Sequence, residues 1–271
     1  MNETVAATNA LEAASRVQER IDAVQSFVMH HVVDSHAWTL FPRLHVPLPG
    51  LLSAHGLMVI LCAALLLLLF GVCYRKQDAV PRGLTNLLEF FVVFIRDQIC
   101  VEFLGRDDGR KMTPLFCSFF FFILTMNLLG LVPCFQTATS NVNVTGALAV
   151  ITFGFMIFGA IYRNGVAAFC HGFVPPGVPW PLLLIVVPIE VIGLFIKAFA
   201  LMIRLFANML AGHIVVFSLL GLVVIFGYVA IPTVLMGVFI DILEVFVAFF
   251  QAYIFTLLSA VFIGQRYHPA H

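Results

Sequence analysis

The chain has 271 residues, of which 62% are apolar and only 10% charged. An average soluble domain carries about 25% charged and about 45–50% apolar residues, so a water-soluble globular enzyme and a disordered chain are both excluded. Basic and acidic residues balance at 14 each, which removes the net field that would hold nucleic acid through its phosphates. Residues 112–265 contain six formal charges, Arg163, Glu190, Lys197, Arg204, Asp241 and Glu244, and the rest fall in 1–111 and at Arg266. That partition implies an all-α polytopic membrane protein.

Taken in chain order, residues 1–50 form a polar N-terminal segment, within which 10–33 are compatible with a helix outside the bilayer. The start lacks the basic-then-apolar pattern of a secretory leader and the Arg-rich, acid-poor character of a transit peptide. A membrane-spanning helix needs about 20 apolar residues, and residues 51–75 supply the first, its dense core Leu57–Tyr74 ending at Arg75-Lys76. Residues 76–111 form an inner-side segment. Within it, 81–104 carry Leu84, Leu88, Phe91, Ile95, Ile99 and Phe103 near a helical period, interrupted by Glu89, Arg96, Asp97 and Glu102. This predicts an amphipathic interfacial helix.

Residues 112–163 read as a hairpin of two spans, about 114–133 and 145–162, divided by Pro133 and the polar stretch Gln136–Thr145. Residues 164–181 form a loop, and the stretch from Asn164 to Ile189 is less regular because it carries five prolines. Two long apolar helices, about 182–220 and 228–265, occupy 182–266 and leave a tail at 267–271. Five membrane-embedded helices and one interfacial helix are therefore expected. Basic residues crowd the 76–111 segment and recur at Arg163 and Arg266, whereas 134–144 and 221–232 have none. By the positive-inside rule the N-terminus lies outside and the C-terminus inside.

The six cysteines include no CxxC pair, and most lie in or beside apolar runs, so they read as buried thiols and not a metal site. His30, His31, Asp34 and His36 could bind metal, but a solvated polar face is the plainer reading. His171, His268 and His271 are assigned no role.

A charge at the bilayer centre costs about 2.5–3.5 kcal/mol on insertion scales, so such groups face a partner or a watery path. At about 100° per residue, Lys197 and Arg204 lie about 20° apart, and Glu190 and Asn208 fall within about 40° of Arg204. His213 points to the opposite side. On the last helix Glu244 and Gln251 differ by about 20°, with Asp241 about 60° away. Two polar stripes on adjacent helices favour an ion pathway over simple interhelical pairing. Arg204 is a fixed positive charge, because arginine does not lose its proton. His213, Glu244, Asp241 and Glu190 can exchange protons when their surroundings shift them. A permanent cation among titratable groups acts as a gate.

The run Ile203-Arg204-Leu205-Phe206-Ala207-Asn208-Met209-Leu210-Ala211-Gly212-His213 resembles the signature helix of subunit a of F-type ATP synthases. The segment from Glu244 through Gln251 to Leu258 resembles that family's last helix. Asn127-Leu-Leu-Gly-Leu-Val-Pro133, Asn141-Val-Asn143-Val-Thr145 and the placement of Glu190 agree, and the likeness covers about 50–266.

The resemblance implies a stator subunit, not catalytic alone, that provides two aqueous half-channels to a ring of c subunits. Arg204 would face the ring carboxylate, with Asn208 and Gln251 beside it. His213, Glu244 and Asp241 would line the outer half-channel, and Glu190 the inner one. Many bacterial members carry an acid at the position of His213 and a histidine at that of Glu244; here the two are exchanged, as in mitochondrial and some bacterial members.

Implied partners are the c-ring, peripheral-stalk b subunits, the F1 sector indirectly and membrane lipid, with no cofactor, metal or nucleic acid. His213 and the titratable path favour H⁺ over Na⁺. The absence of transit character favours a bacterial plasma (inner) membrane, with the mitochondrial inner membrane as the alternative. A secondary antiporter also needs intramembrane acids and a base, but no inverted repeat is evident. A purely structural anchor leaves the stripes unexplained.

Overall fold

The structure, a computed structural model, describes residues 15–23, 37–41, 44–47, 53–73, 83–132, 135, 137–174, 179–226 and 231–268. The protein is all-α and polytopic, with five helical stretches long and apolar enough to cross a membrane. A first short helix, α1, covers 15–23 and is exposed. The N-terminal segment also contains a two-stranded antiparallel hairpin, β1 (Ala37–Phe41) against β2 (Leu44–Pro47), with Trp38 opposite Val46 and Thr39 opposite His45. Pro42, Pro47 and Pro49 disfavour helix there.

Helix α2 (Ala54–Cys73) is apolar throughout. Helix α3 (Leu84–Phe94) opens the segment that carries the amphipathic pattern. It passes through a π-helical turn at Ile95–Cys100 into α4 (Val101–Gly130), which contains Pro114. Helical geometry is interrupted by a kink at Gly105, inside α4 and one residue past the stretch 81–104, where a φ of 79° suits glycine alone. Past this kink Gly109 packs directly on the Cys100 carbonyl, leaving no room for a Cβ.

A 3₁₀ turn, Ala138–Ser140, leads into α5 (Val142–Gly154). The Asn141 side chain caps α5 by accepting from the Asn143 N–H at 2.9 Å. A second π-helical turn, Phe155–Gly159, leads into α6 (Ala160–Asn164), and the short α7 (Val166–His171) follows.

Helices α8 (Trp180–Phe226) and α9 (Ile231–Tyr267) complete the fold. The proline-rich stretch is more regular than its composition suggests, since α8 begins at Trp180 and continues through Pro188. Pro181 sits in the first turn, where the missing N–H has no partner to lose. At about 1.5 Å per residue the 47 residues of α8 extend about 70 Å, more than twice a hydrocarbon core of about 30 Å.

The core sits between α4, α9, the first π-turn and α2, built from Phe116, Phe120, Phe255, Ile99 and Met58, all nearly inaccessible. Phe119 and Phe255 meet edge to face at 5.7 Å. Cys62 and Cys100 are buried free thiols. Cys170 departs from the buried-thiol reading: it is exposed, because α7 buries none of its residues.

Candidate functional site

Helices α8 and α9 run antiparallel and meet along a polar seam. Glu190 Oε1 accepts from Arg266 at 2.7 Å, and Lys197 Nζ donates to Gln265 Oε1 at 2.9 Å. Further along, Asn208 Nδ2 donates to Gln251 Oε1 at 2.8 Å, and His213 Nδ1 lies 3.2 Å from Glu244 Oε1. As positions rise on α8 their partners fall on α9, so four rungs step along one interface.

The rungs differ in burial. Glu244 is 8% exposed and Gln251 4% exposed. Gln251 Nε2 has no hydrogen-bond partner among the described residues. Room for the Glu244 carboxylate comes from Gly212, where an added Cβ would strike Glu244 Oε1. His213 is also held from the hairpin side. Its Nε2 is 3.0 Å from the Gly130 carbonyl and 2.6 Å from Thr137 Oγ1, while Nδ1 is 3.1 Å from the Met209 carbonyl. At the other end the Arg266 guanidinium stacks 4.6 Å above Phe173 and reaches the Gly172 carbonyl at 3.5 Å. There the Glu190 side chain stays 45% exposed.

Arg204 sits between the Lys197 and Asn208 rungs and differs from both. It is exposed, and among the described residues no ion-pair or hydrogen-bond partner reaches it. Phe199 and Ile203 beside it are exposed apolar side chains, as are Ile242, Phe246 and Phe250 on α9. A fixed cation thus stands exposed beside apolar side chains, with exposed Asn208 one turn along α8. Asp241 is exposed too, one turn before Glu244 and outside the rungs.

A family model described as "ATP synthase A chain" matches residues 56–264, from the start of α2 almost to the end of α9. The chain belongs to that family. Among curated relatives, "ATP synthase subunit a" of Chloroherpeton thalassium (strain ATCC 35110 / GB-78) is 45% identical over 263 residues, covering 91% of this chain and 77% of that protein. "ATP synthase subunit a" of Myxococcus xanthus (strain DK1622) is 41% identical over 260 residues, covering 85% and 86%. The same-named protein of Anaeromyxobacter sp. (strain Fw109-5) is 47% identical over 218 residues, 79% of this chain but only 53% of that protein. The chain thus spans about half the length of such relatives.

Placed on α8 and α9, the sequence-derived residues fall into three situations. Asn208 with Gln251 and His213 with Glu244 are brought together across the seam. Glu190 is joined to a group the sequence reading treated only as a surface marker, Arg266, which is 7% exposed and so buried. Arg204 makes no hydrogen bond or ion pair among the described residues, and Asp241 makes none either but lies near enough to Glu244 and His213 to feel their charge. The sequence alone assigned no site role to Thr137, the Gly130 carbonyl, Gly212 or Arg266. It assigned none either to Asn127, which lies in a run that carries the resemblance and which accepts from Thr139 Oγ1 at 2.9 Å and donates to the Ala248 carbonyl at 3.4 Å. The polar stretch Gln136–Thr145 was the available signal for Thr137 and Thr139. His30, His31, Asp34 and His36 lie outside the described residues.

Proposed function

We propose that the chain is the stator subunit a of a proton-translocating F-type ATP synthase, lodged in a bacterial plasma membrane. Its N-terminus lies outside and its C-terminus inside, following the basic residues at 75–111, Arg163 and Arg266. It performs no ATP chemistry alone. It delivers protons to, and collects them from, the carboxylates of a c-ring, so that ring rotation is coupled to ATP synthesis in the F1 sector. Peripheral-stalk b subunits hold it against that rotation.

The observation that carries this reading is the position of Arg204. A permanently charged group stands exposed midway along the seam, with the His213–Glu244 pair at one end and the Glu190 carboxylate at the other. A carboxylate arriving beside Arg204 ionises, because the neighbouring positive charge favours the charged form. Its proton departs past Glu190 to the inside. A proton entering from outside passes the region of His213, Glu244 and Asp241 and neutralises the next carboxylate, which can then turn toward lipid without carrying a charge into it. Each proton crossing about 100 mV supplies about 2.3 kcal/mol. Arginine cannot relay a proton, so Arg204 separates the two half-channels. Asn208 and Gln251, one turn along, keep the seam polar beside it.

Replacing Arg204 with alanine in the assembled enzyme tests the proposal. Proton-driven ATP synthesis in inverted vesicles is expected to be abolished while the complex still assembles. Normal synthesis by that variant would overturn the mechanism.

A further inference from the structure

Thr137 has no part in the pathway described above, yet its hydroxyl makes the shortest contact to His213. It arrives from the turn before α5, 76 residues away in sequence, at 2.6 Å from Nε2. We propose that Thr137 is a positioning residue that sets the tautomer of neutral His213, keeping its proton on Nδ1, toward Glu244. The proposal rests on the reading of His213 as a proton carrier.

The donor and acceptor inventory around the ring leads to this assignment. Nδ1 hydrogen-bonds with the Met209 carbonyl at 3.1 Å and lies 3.2 Å from Glu244 Oε1, a buried oxygen with no hydrogen-bond partner among the described residues. Both oxygens only accept when Glu244 is ionised. Nε2 faces the Gly130 carbonyl at 3.0 Å, again an acceptor only, and the Thr137 hydroxyl. The imidazolium donates from both nitrogens and is satisfied on both sides. A neutral ring must leave one nitrogen bare. A bare Nδ1 would confront only lone pairs, whereas a bare Nε2 receives the Thr137 O–H as donor.

The hydroxyl can also serve the charged ring. Thr137 Oγ1 lies 3.4 Å from the Gly130 carbonyl, so its hydrogen can turn there while its oxygen accepts from Nε2–H. Thr137 thereby follows the charge on His213 by rotation about one bond. The next proton binds at bare Nε2, on the Thr137 side, and the ring becomes an imidazolium whose Nδ1–H faces the Glu244 carboxylate. The titratable groups facing His213 are Glu244 and, a turn earlier on α9, Asp241. From α4 and the turn before α5 only Gly130 and Thr137 approach it among the described residues.

Thr137→Val keeps the side-chain shape and removes the hydroxyl; Thr137→Ser keeps the hydroxyl. The assembled complex, labelled with ¹⁵N-histidine, is examined by NMR at a pH where the His213 ring is neutral, with His213→Gln used to assign its signals. Wild type and Thr137→Ser are expected to show protonated Nδ1 and bare Nε2. Thr137→Val is expected to lose that preference, and its proton-driven synthesis to slow about tenfold with an altered pH profile. Thr137→Ser should restore both. An unchanged tautomer in Thr137→Val would overturn the proposal. Loss of the tautomer preference with unaltered synthesis would support the assignment and instead overturn the carrier role of His213.

Discussion

The two ends of the α8–α9 seam each hold a carboxylate beside a nitrogen base, but they are built on opposite plans. At one end Glu244 is buried and His213 mostly so, and the acid occupies space that exists because residue 212 is glycine. At the other end the buried member is the cation, Arg266, packed on Phe173, and its acid, Glu190, remains half exposed. The first pair has a partner that can gain and lose a proton; the second has one that cannot. Buried titratable groups can discriminate ions and time their transfer, at the cost of needing every surrounding donor and acceptor in place. A half-exposed carboxylate held by arginine stays reachable by water and tolerates disturbance better. The proposed entry path is thus the fragile end of the seam, and the exit path the robust one.

Replacing Glu244 with glutamine strikes the fragile end hardest. Volume is kept, but the ring of His213 loses the carboxylate that stands 3.2 Å from its Nδ1. Proton transport through the assembled enzyme is expected to slow about 100-fold, the scale of a lost proton-transfer group. An unchanged rate and pH dependence, measured by quenching of a pH-sensitive dye in vesicles, would remove Glu244 from the path. A milder break leaves every titratable group in place. Gly212→Ala introduces a methyl that meets Glu244 Oε1, so the carboxylate must move from His213. Transport is expected to slow about tenfold in this variant, between wild type and Glu244→Gln. If Gly212→Ala matched wild type in the same assay, tight packing would not be what positions Glu244.

Much of the fold was legible because the signals were one-dimensional. Long charge-free runs mark the spans, and an arginine, an asparagine and two acids at fixed spacing mark the stripes. The wheel argument also separated His213 from Arg204, and in the structure one faces the hairpin turn while the other stands exposed. Partners that depend on how the chain returns were not legible. Gly130 and Thr137 reach His213 across 83 and 76 residues of sequence, and no spacing within one helix encodes such contacts. Arg266 looked like an interfacial marker because it ends an apolar run, yet α7 and the loop after it bring Phe173 and Gly172 over it. Glu190 was placed on a stripe by assuming a straight helix, although Pro188 lies two residues before it. Its partner was decided by the register of two long helices, which amino-acid spacing on one of them does not contain.

The robust end makes its own prediction, smaller and in stability more than in transport. Removing one member of an ion pair costs most when the charge left behind is the buried one. Arg266 is that member, since its side chain is 7% exposed against 45% for Glu190. Glu190→Leu strands the guanidinium over Phe173 with the Gly172 carbonyl as its remaining oxygen partner among those described. Arg266→Gln instead leaves a carboxylate that water can solvate. The first variant is therefore expected to lose about 2–3 kcal/mol of stability and the second about 1 kcal/mol, the half-exposed partner keeping both below a fully buried pair. Thermal unfolding of the two variants in the same detergent measures the difference. Equal losses, or a larger loss in Arg266→Gln, would mean that Glu190 is the more deeply held charge, and the contrast between the two ends would disappear.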